Sequence, residues 1–345
     1  MSYQDTFTIG SLVTDCLIFE GDGTRPIHEE NVHVFYDPDV VLWLPEEVQR
    51  WRREIEEQEA AKQAAGDNYR WNNPRFAVKS VTPRRTSHSE EPVAHLHLVN
   101  ADYYDFLATT TNLDRRLEDG SGATLRSRYL DIGDPAEAEA FLSCSFGVNV
   151  AAETGPDQKM IFARRSGKVD GVNVHRWNSS ANEGLARIHD LPADGSRISL
   201  HAAARRALKE EMAVQFEDNV ELELLGFGLD LKNHQWAAFF RAVLLDLTED
   251  DLRHRWAKGI EDRWEHEAHA FVPATADDVC DFILGRPNLE SAWTPCAPAL
   301  FYLALVRRAV LARGGDPSGR LDVDAAERRA MSRLANAEST AVAGS

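Results

Sequence analysis

LHAAARRALKEEMAV, running from Leu200 to Val214, carries two adjacent glutamates on a segment built for a helix. Alanine is the strongest helix former, and Ala202, Ala203 and Ala204 stand together near its start. Ser199 precedes them, and its hydroxyl can accept an amide hydrogen bond from the first turn. Leu200, Ala204, Leu208 and Met212 recur every four residues and mark one buried stripe. Glu210 and Glu211 lie about 100° apart around such a helix, so they point in different directions. Glu210 falls one turn beyond Arg206 and can pair with it, which on an exposed face contributes ~0.3 kcal/mol. Glu211 falls one turn beyond Ala207, on the flank of the apolar stripe, where a carboxylate can reach a pocket at the edge of a sheet.

The sequence on either side supplies that sheet. FGVNVAAET and KMIFARRS, within residues 146–166, read as a hairpin joined by a Gly-Pro-Asp turn. VNVHRWNSSANEGL begins extended and turns polar, and HDLPADGSRI is a loop with an Asp-Gly turn. After the helix, VELELLGFGLDL and HQWAAFFRAVLL are strands, AHAFVPAT is another, and ADDVCDFILG is a helix capped by Thr275. PCAPALFYLALVRRAVLARGG is a strongly apolar helix ended by glycines. The order predicts a mixed α/β layered domain over residues 143–313, not a repeating βαβ unit.

Residues 1–140 read as a separate α+β region. TIGSLVTDCLIFE and NVHVFYDPDVVLW are expected strands, and PEEVQRWRREIEEQEAAKQAA is a helix with proline at its start. VAHLHLVN alternates as a strand, with His95 and His97 on one face, and runs into a helix at ADYYDFLATT. That histidine pair suits either the polar face of a half-buried strand or two metal ligands. Residues 316–345 carry little apolar material and are expected to form a weak helix followed by a disordered tail.

The chain has 345 residues, 38 basic and 56 acidic side chains and a formal charge of −18, which disfavours bulk nucleic acid and anionic membranes as partners. Cys16, Cys144, Cys280 and Cys296 are too scattered for a disulfide framework or a zinc motif. The start lacks the pattern of a signal peptide and no apolar run reaches a membrane span, so a soluble cytoplasmic protein is expected. EHEAH, residues 265–269, has the wrong order for a zinc helix, and phosphate-loop, G-x-S-x-G and dinucleotide fingerprints do not occur.

RALKEEMAV resembles the end of the Nudix box: glycine, five residues, glutamate, seven residues, then R-E-U-x-E-E-x-G-U with U aliphatic. Arg206, Leu208, Glu210, Glu211 and Val214 stand where that pattern wants them, and Ala203, Ala204 and Ser199 match residues usual around it. The resemblance implies a Nudix-like α/β/α sandwich with a mixed sheet. Four positions depart from the box: Pro192, Ile198, Ala207 and Ala213 replace its first glycine, first glutamate, the glutamate after arginine and its last glycine.

In that family the positions matching Ala207 and Glu211 bind magnesium together, so one of two ligands is missing here. The resemblance implies Glu211 as a weakened Mg²⁺ ligand, helped by Glu183, Glu265 or Glu267, with Glu210 orienting Arg206. Arg164 and Arg165, in the basic ARRSGK segment, and Glu183 are the candidate substrate-binding residues. Two functions follow from the likeness. One is Mg²⁺-dependent hydrolysis of a nucleoside diphosphate derivative. The other is a catalytically inactive domain that senses a nucleotide-type small molecule or engages a protein partner or a second copy. A plain amphipathic helix is the alternative reading of RALKEEMAV itself.

Overall fold

The computed structural model describes residues 6–167, 173–193, 197–262, 264–286 and 288–343. The chain opens with a tight hairpin of β1 (Thr8–Ile9) and β2 (Leu12–Val13), followed by β3 (Cys16–Glu20). The expected single strand over this stretch is broken because Gly10 turns the chain at φ 54°, in the left-handed region that glycine tolerates. β4 (Val32–Asp37) stops at Pro38, and α1 (Glu46–Ala65), β5 (Pro74–Arg85), β6 (Pro92–Asp102) and α2 (Tyr103–Thr109) follow. β4, β6 and β5 form a three-stranded sheet, with β4 parallel and β5 antiparallel to the central β6.

The second half contributes β7 (Phe146–Thr154), β8 (Lys159–Arg165), β9 (Trp177–Asn178) and β10 (Ala181–Gly184), then α3 (Arg187–Asp190) and α4 (Leu200–Met212). Next come β11 (Val220–Asp230), β12 (Gln235–Leu244), α5 (Glu249–Lys258), β13 (His266–Pro273), α6 (Ala276–Leu284), α7 (Leu289–Ala292), α8 (Ala297–Ala312) and α9 (Arg320–Ala343). The main sheet runs β13-β8-β7-β12-β11-β3, with β10 added to β7 and β9 to β8. Its β7–β12 pair is parallel and its other pairs are antiparallel, so the sheet is mixed, as expected. β7 is buried along its whole length, which is why it reads as a nearly continuous apolar run.

Each face of this sheet is covered by a helix layer. On one face α4 buries Leu200, Ala203, Ala204, Ala207, Leu208 and Met212 against Phe146, Val148 and Val150 of β7 and Phe240 of β12. The other face packs Phe162 and Phe239 against Phe301 and Leu300 of α8 and Val279 and Ile283 of α6. The result is a layered α/β arrangement with helices on both sides of a mixed sheet.

Two expected boundaries do not hold in space. β3, from the region expected to be separate, pairs antiparallel with β11 and forms an edge of the main sheet. Phe76, Val78, Leu96 and Leu98 of the three-stranded sheet share the core under α4, so residues 1–140 fold onto the same hydrophobic centre. Residues 320–343, expected to hold a weak helix and then a disordered tail, form α9 throughout. Its buried stripe is short and small, Val323, Ala326 and Ala330, which is why composition understated it. Arg329 and Arg333 pair with Asp277 and Asp281 of α6, tying the helix down. Among the described residues, no helix is long and apolar enough to cross a membrane.

Candidate functional site

α4 starts as its sequence dictates. Ser199 Oγ accepts the Ala202 amide at 3.0 Å and also donates to Glu29 at 2.6 Å. The helix ends with Ala213 at φ 57°, where its amide caps the Leu208 and Lys209 carbonyls. That left-handed conformation suits the glycine of the box pattern and costs an L-residue about 1 kcal/mol. Ala213→Gly is therefore expected to raise the unfolding free energy by about 1 kcal/mol in urea melts, since the backbone already has the shape glycine prefers.

Arg206 is more deeply placed than an ordinary surface residue of i,i+4 pairs. Its guanidinium contacts Glu210 at 3.2 Å, Glu183 at 3.1 Å and Asp190 at 2.9 Å, and donates to the Gly184 carbonyl at 3.2 Å. It thereby ties α4 to the end of β10 and to α3. The expected Arg206–Glu210 pair is present, within a network of three carboxylates. Glu183 has its pKa pushed up to about 7 by burial, which outweighs the opposing pull of Arg206.

Glu211 is enclosed, with 1% of its surface exposed. Oε1 accepts the Asn182 backbone amide at 2.8 Å, while Oε2 lies 3.3 Å from His266 Nε2, poorly aligned for a full hydrogen bond. Burial drives the Glu211 pKa well above the usual carboxylate range, and Glu265 and Glu183 push it the same way. Burial also lowers the His266 pKa to about 3, with His269 and Arg165 adding to the effect. Burial therefore favours the protonated form of the carboxyl and the neutral form of the imidazole across this 3.3 Å contact. Glu265 and Asp262 are raised as well, chiefly by burial.

The structure sorts the other candidates. Arg165 pairs in register with His266 and lies close enough to Glu211 and Glu265 to influence both. Arg164 is elsewhere, bound through Nε to Glu267 at 3.1 Å and to the His175 carbonyl at 3.0 Å. Glu267 is held by Arg164 and by His175 at 2.8 Å, so it does not join the Glu211 group. Lys168 and the Asp194–Gly195 turn lie outside the described residues. His266 is the residue that sequence reasoning missed. Strict alternation along β13 would set His266 with Ala270 and Val272 on the α8 side; the bulge between His266 and Ala268 brings it to Glu211 instead, and no sequence pattern marks that bulge.

The two positions that depart from the box glutamates are core positions. Ala207 is fully buried and Ile198 is 6% exposed, both within the apolar cluster under α4. Among the described residues, no three His, Cys, Asp or Glu side chains are grouped so as to hold a metal ion. Mg²⁺ takes ionised oxygen ligands and keeps several waters. Around Glu211 stand the His266 imidazole and, near enough to raise its pKa further, Glu265 and Glu183, the latter held by Arg206; burial of Glu211 disfavours the ionised form that such an ion requires.

No protein-family model matches the chain, and no curated protein matches it. Among solved structures it is similar to a mutT/nudix family protein from Listeria innocua, at 14% identity, over 50% of this chain and 97% of that one, with a TM-score of 0.31.

Proposed function

We propose that this protein is a Nudix-like binding module without pyrophosphohydrolase chemistry, which takes up a nucleotide-type small molecule. The observation that carries the reading is Glu211, enclosed, hydrogen-bonded to the Asn182 backbone and one helical turn from the buried methyl of Ala207, with burial raising its pKa. Metal-assisted cleavage of a diphosphate needs an ion that neutralises phosphate oxygens and lowers the pKa of water. A carboxyl used to close the joint between α4, β10 and β13 supplies no ligand for it. Arg206, Glu183, Asp190 and Glu210 act here as a brace that fixes the end of β10 against α4.

Incubation of the full chain with a panel of nucleoside diphosphate derivatives and Mg²⁺ tests this. The expected result is no release of mononucleotide above the uncatalysed rate, with some members of the panel raising the melting temperature equally in Mg²⁺ and in chelator. Turnover that requires Mg²⁺ and disappears in Glu211→Gln would overturn the reading.

A further inference from the structure

At the seam between the three-stranded sheet and the main sheet, neither the Arg75 nor the Arg187 guanidinium forms an ion pair with a carboxylate among the described residues, and Arg187 is filled instead by neutral acceptors. Arg75, near the start of β5, bridges through its backbone to Ala186, just beyond β10. Arg187 locks the seam: Nε donates to the Arg75 carbonyl at 3.0 Å, Nη1 to Asn100 Oδ1 at 2.7 Å and Nη2 to the Ala101 carbonyl at 3.0 Å. The Arg75 guanidinium lies 4.6 Å from the Tyr103 ring centre and 5.3 Å from that of Phe106. Its Nη1 donates to Ser145 Oγ at 3.2 Å, and the same oxygen accepts from Gln235 Nε2 at 3.2 Å. Among the described residues, no carboxylate forms an ion pair with it. Glu183 is the acid that acts on it from a distance, and Glu183 is engaged by Arg206 on the α4 side of β10.

The sheet beneath this guanidinium is bare. A Cβ on Gly184 would stand 3.7 Å from Arg75 Nη1, and one on Gly147 would stand 3.9 Å from Gln235 Nε2. Gly147 and Gly184 face each other in register, next to the Asn149–Asn182 pair, whose side chains are hydrogen-bonded. The alternate residues of the same strands, Phe146, Val148, Val150 and Ala181, belong to the core under α4. One face is therefore an ordinary apolar interior, while the other presents glycine and amide side chains beside a cation. Glycine inside a strand weakens it unless something must come close to the backbone. A partly desolvated guanidinium without a counter-charge is likewise costly unless an anion completes it.

We propose that Arg75, Ser145 and Gln235, over the Gly147–Gly184 strip, bind a phosphoryl group of a small ligand. The guanidinium fork matches phosphate oxygens in a way an ammonium does not. Tyr103 and Phe106 hold it in place, so little side-chain entropy is lost on binding. The inference rests on the binding-module reading and places the anionic end of the ligand. It brings the N-terminal sheet into the site, since Arg75 comes from β5 and its aromatic support from α2.

Isothermal titration of the full chain with inorganic pyrophosphate in chelator tests the assignment. The wild type is expected to bind. Arg75→Met and Arg75→Lys are expected to bind about tenfold more weakly or worse, and Gln235→Ala a few-fold more weakly. Circular dichroism melts report whether each variant is folded; if Arg75→Met is not, Arg75→Lys and Gln235→Ala carry the comparison. No binding by the wild type, or equal binding by the folded variants, overturns the proposal. A nucleotide panel separates the two claims. Nucleotides that stabilise wild type and Arg75→Lys equally leave the module reading standing and remove this site. Arg75-dependent pyrophosphate binding with no nucleotide effect keeps the site and removes the nucleotide reading.

Discussion

Arg241→Ala is expected to lower the unfolding free energy by about 3 kcal/mol, among the largest losses available from one side chain outside the apolar core. Arg241 projects from the middle of the main sheet with 5% of its surface exposed. It meets Glu153 of β7 at 2.5 Å and Glu223 of β11 at 3.1 Å, so it links three strands across their shared face. Glu153 is 2% exposed, and removing its partner leaves a buried carboxylate with reduced compensation. The loss stays near the lower end of the range for broken buried pairs because α8 supplies second partners. Arg308 remains 3.2 Å from Glu153, and Arg307 Nε remains 2.9 Å from Glu223. Arg308→Ala, at the more exposed end of the network, should cost clearly less. Urea denaturation of the two variants beside the wild type measures both, and equal losses would contradict this ordering.

Ala207→Glu, which restores the box glutamate, is expected to destabilise the fold by about 3–5 kcal/mol and to create no Mg²⁺ site. The Ala207 methyl has no exposed surface and packs within the cluster that joins α4 to both sheets. A glutamate there must either displace packed side chains or bury a carboxyl, and both effects act in the same direction. Melting curves with and without Mg²⁺ distinguish the outcomes. A well-folded variant stabilised by Mg²⁺ would mean that the pocket survives beside the helix.

Local chemistry made α4 legible. The Ser199 cap, the alanine run and the four-residue apolar spacing each act within a turn or two, and the helix forms over the expected residues. The same local signals gave β7, β8, β11, β12, α6 and α8. α5 was harder to see because its buried face is little more than Leu252. α9 read as no more than a weak helix for a similar reason, with alanines doing the packing that leucines usually advertise. The pairing of β3 with β11 joins segments roughly two hundred residues apart, and no local pattern encodes it.

The site follows the same division. Arg206 with Glu210 was legible from helical spacing. That Asp190 and Glu183 complete its surroundings depends on how β10 and α3 fold back over α4. The burial of Glu211 against His266 requires β13 to cross beside α4, which spacing along either segment cannot express. Arg75 gave no sequence signal at all, because its meaning comes from meeting Ser145 and Gln235 across two sheets.

Glu211 serves as a structural carboxyl whose protonated form burial favours. Its folded pKa is raised above the ordinary glutamate value of about 4.3, so the folded state holds the proton more tightly than the unfolded chain. Its contribution to stability is therefore complete below the ordinary value and is lost as pH rises toward the folded one. Glutamine keeps the shape and carries no such proton, so Glu211→Gln escapes this loss. The decisive measurement is the unfolding free energy of wild type and Glu211→Gln from pH 5 to 8, with Mg²⁺ and with chelator. The expected result is a variant that gains on the wild type steadily as pH rises, with Mg²⁺ shifting neither protein. A wild type stabilised by Mg²⁺, with that stabilisation abolished in Glu211→Gln, would contradict the claim.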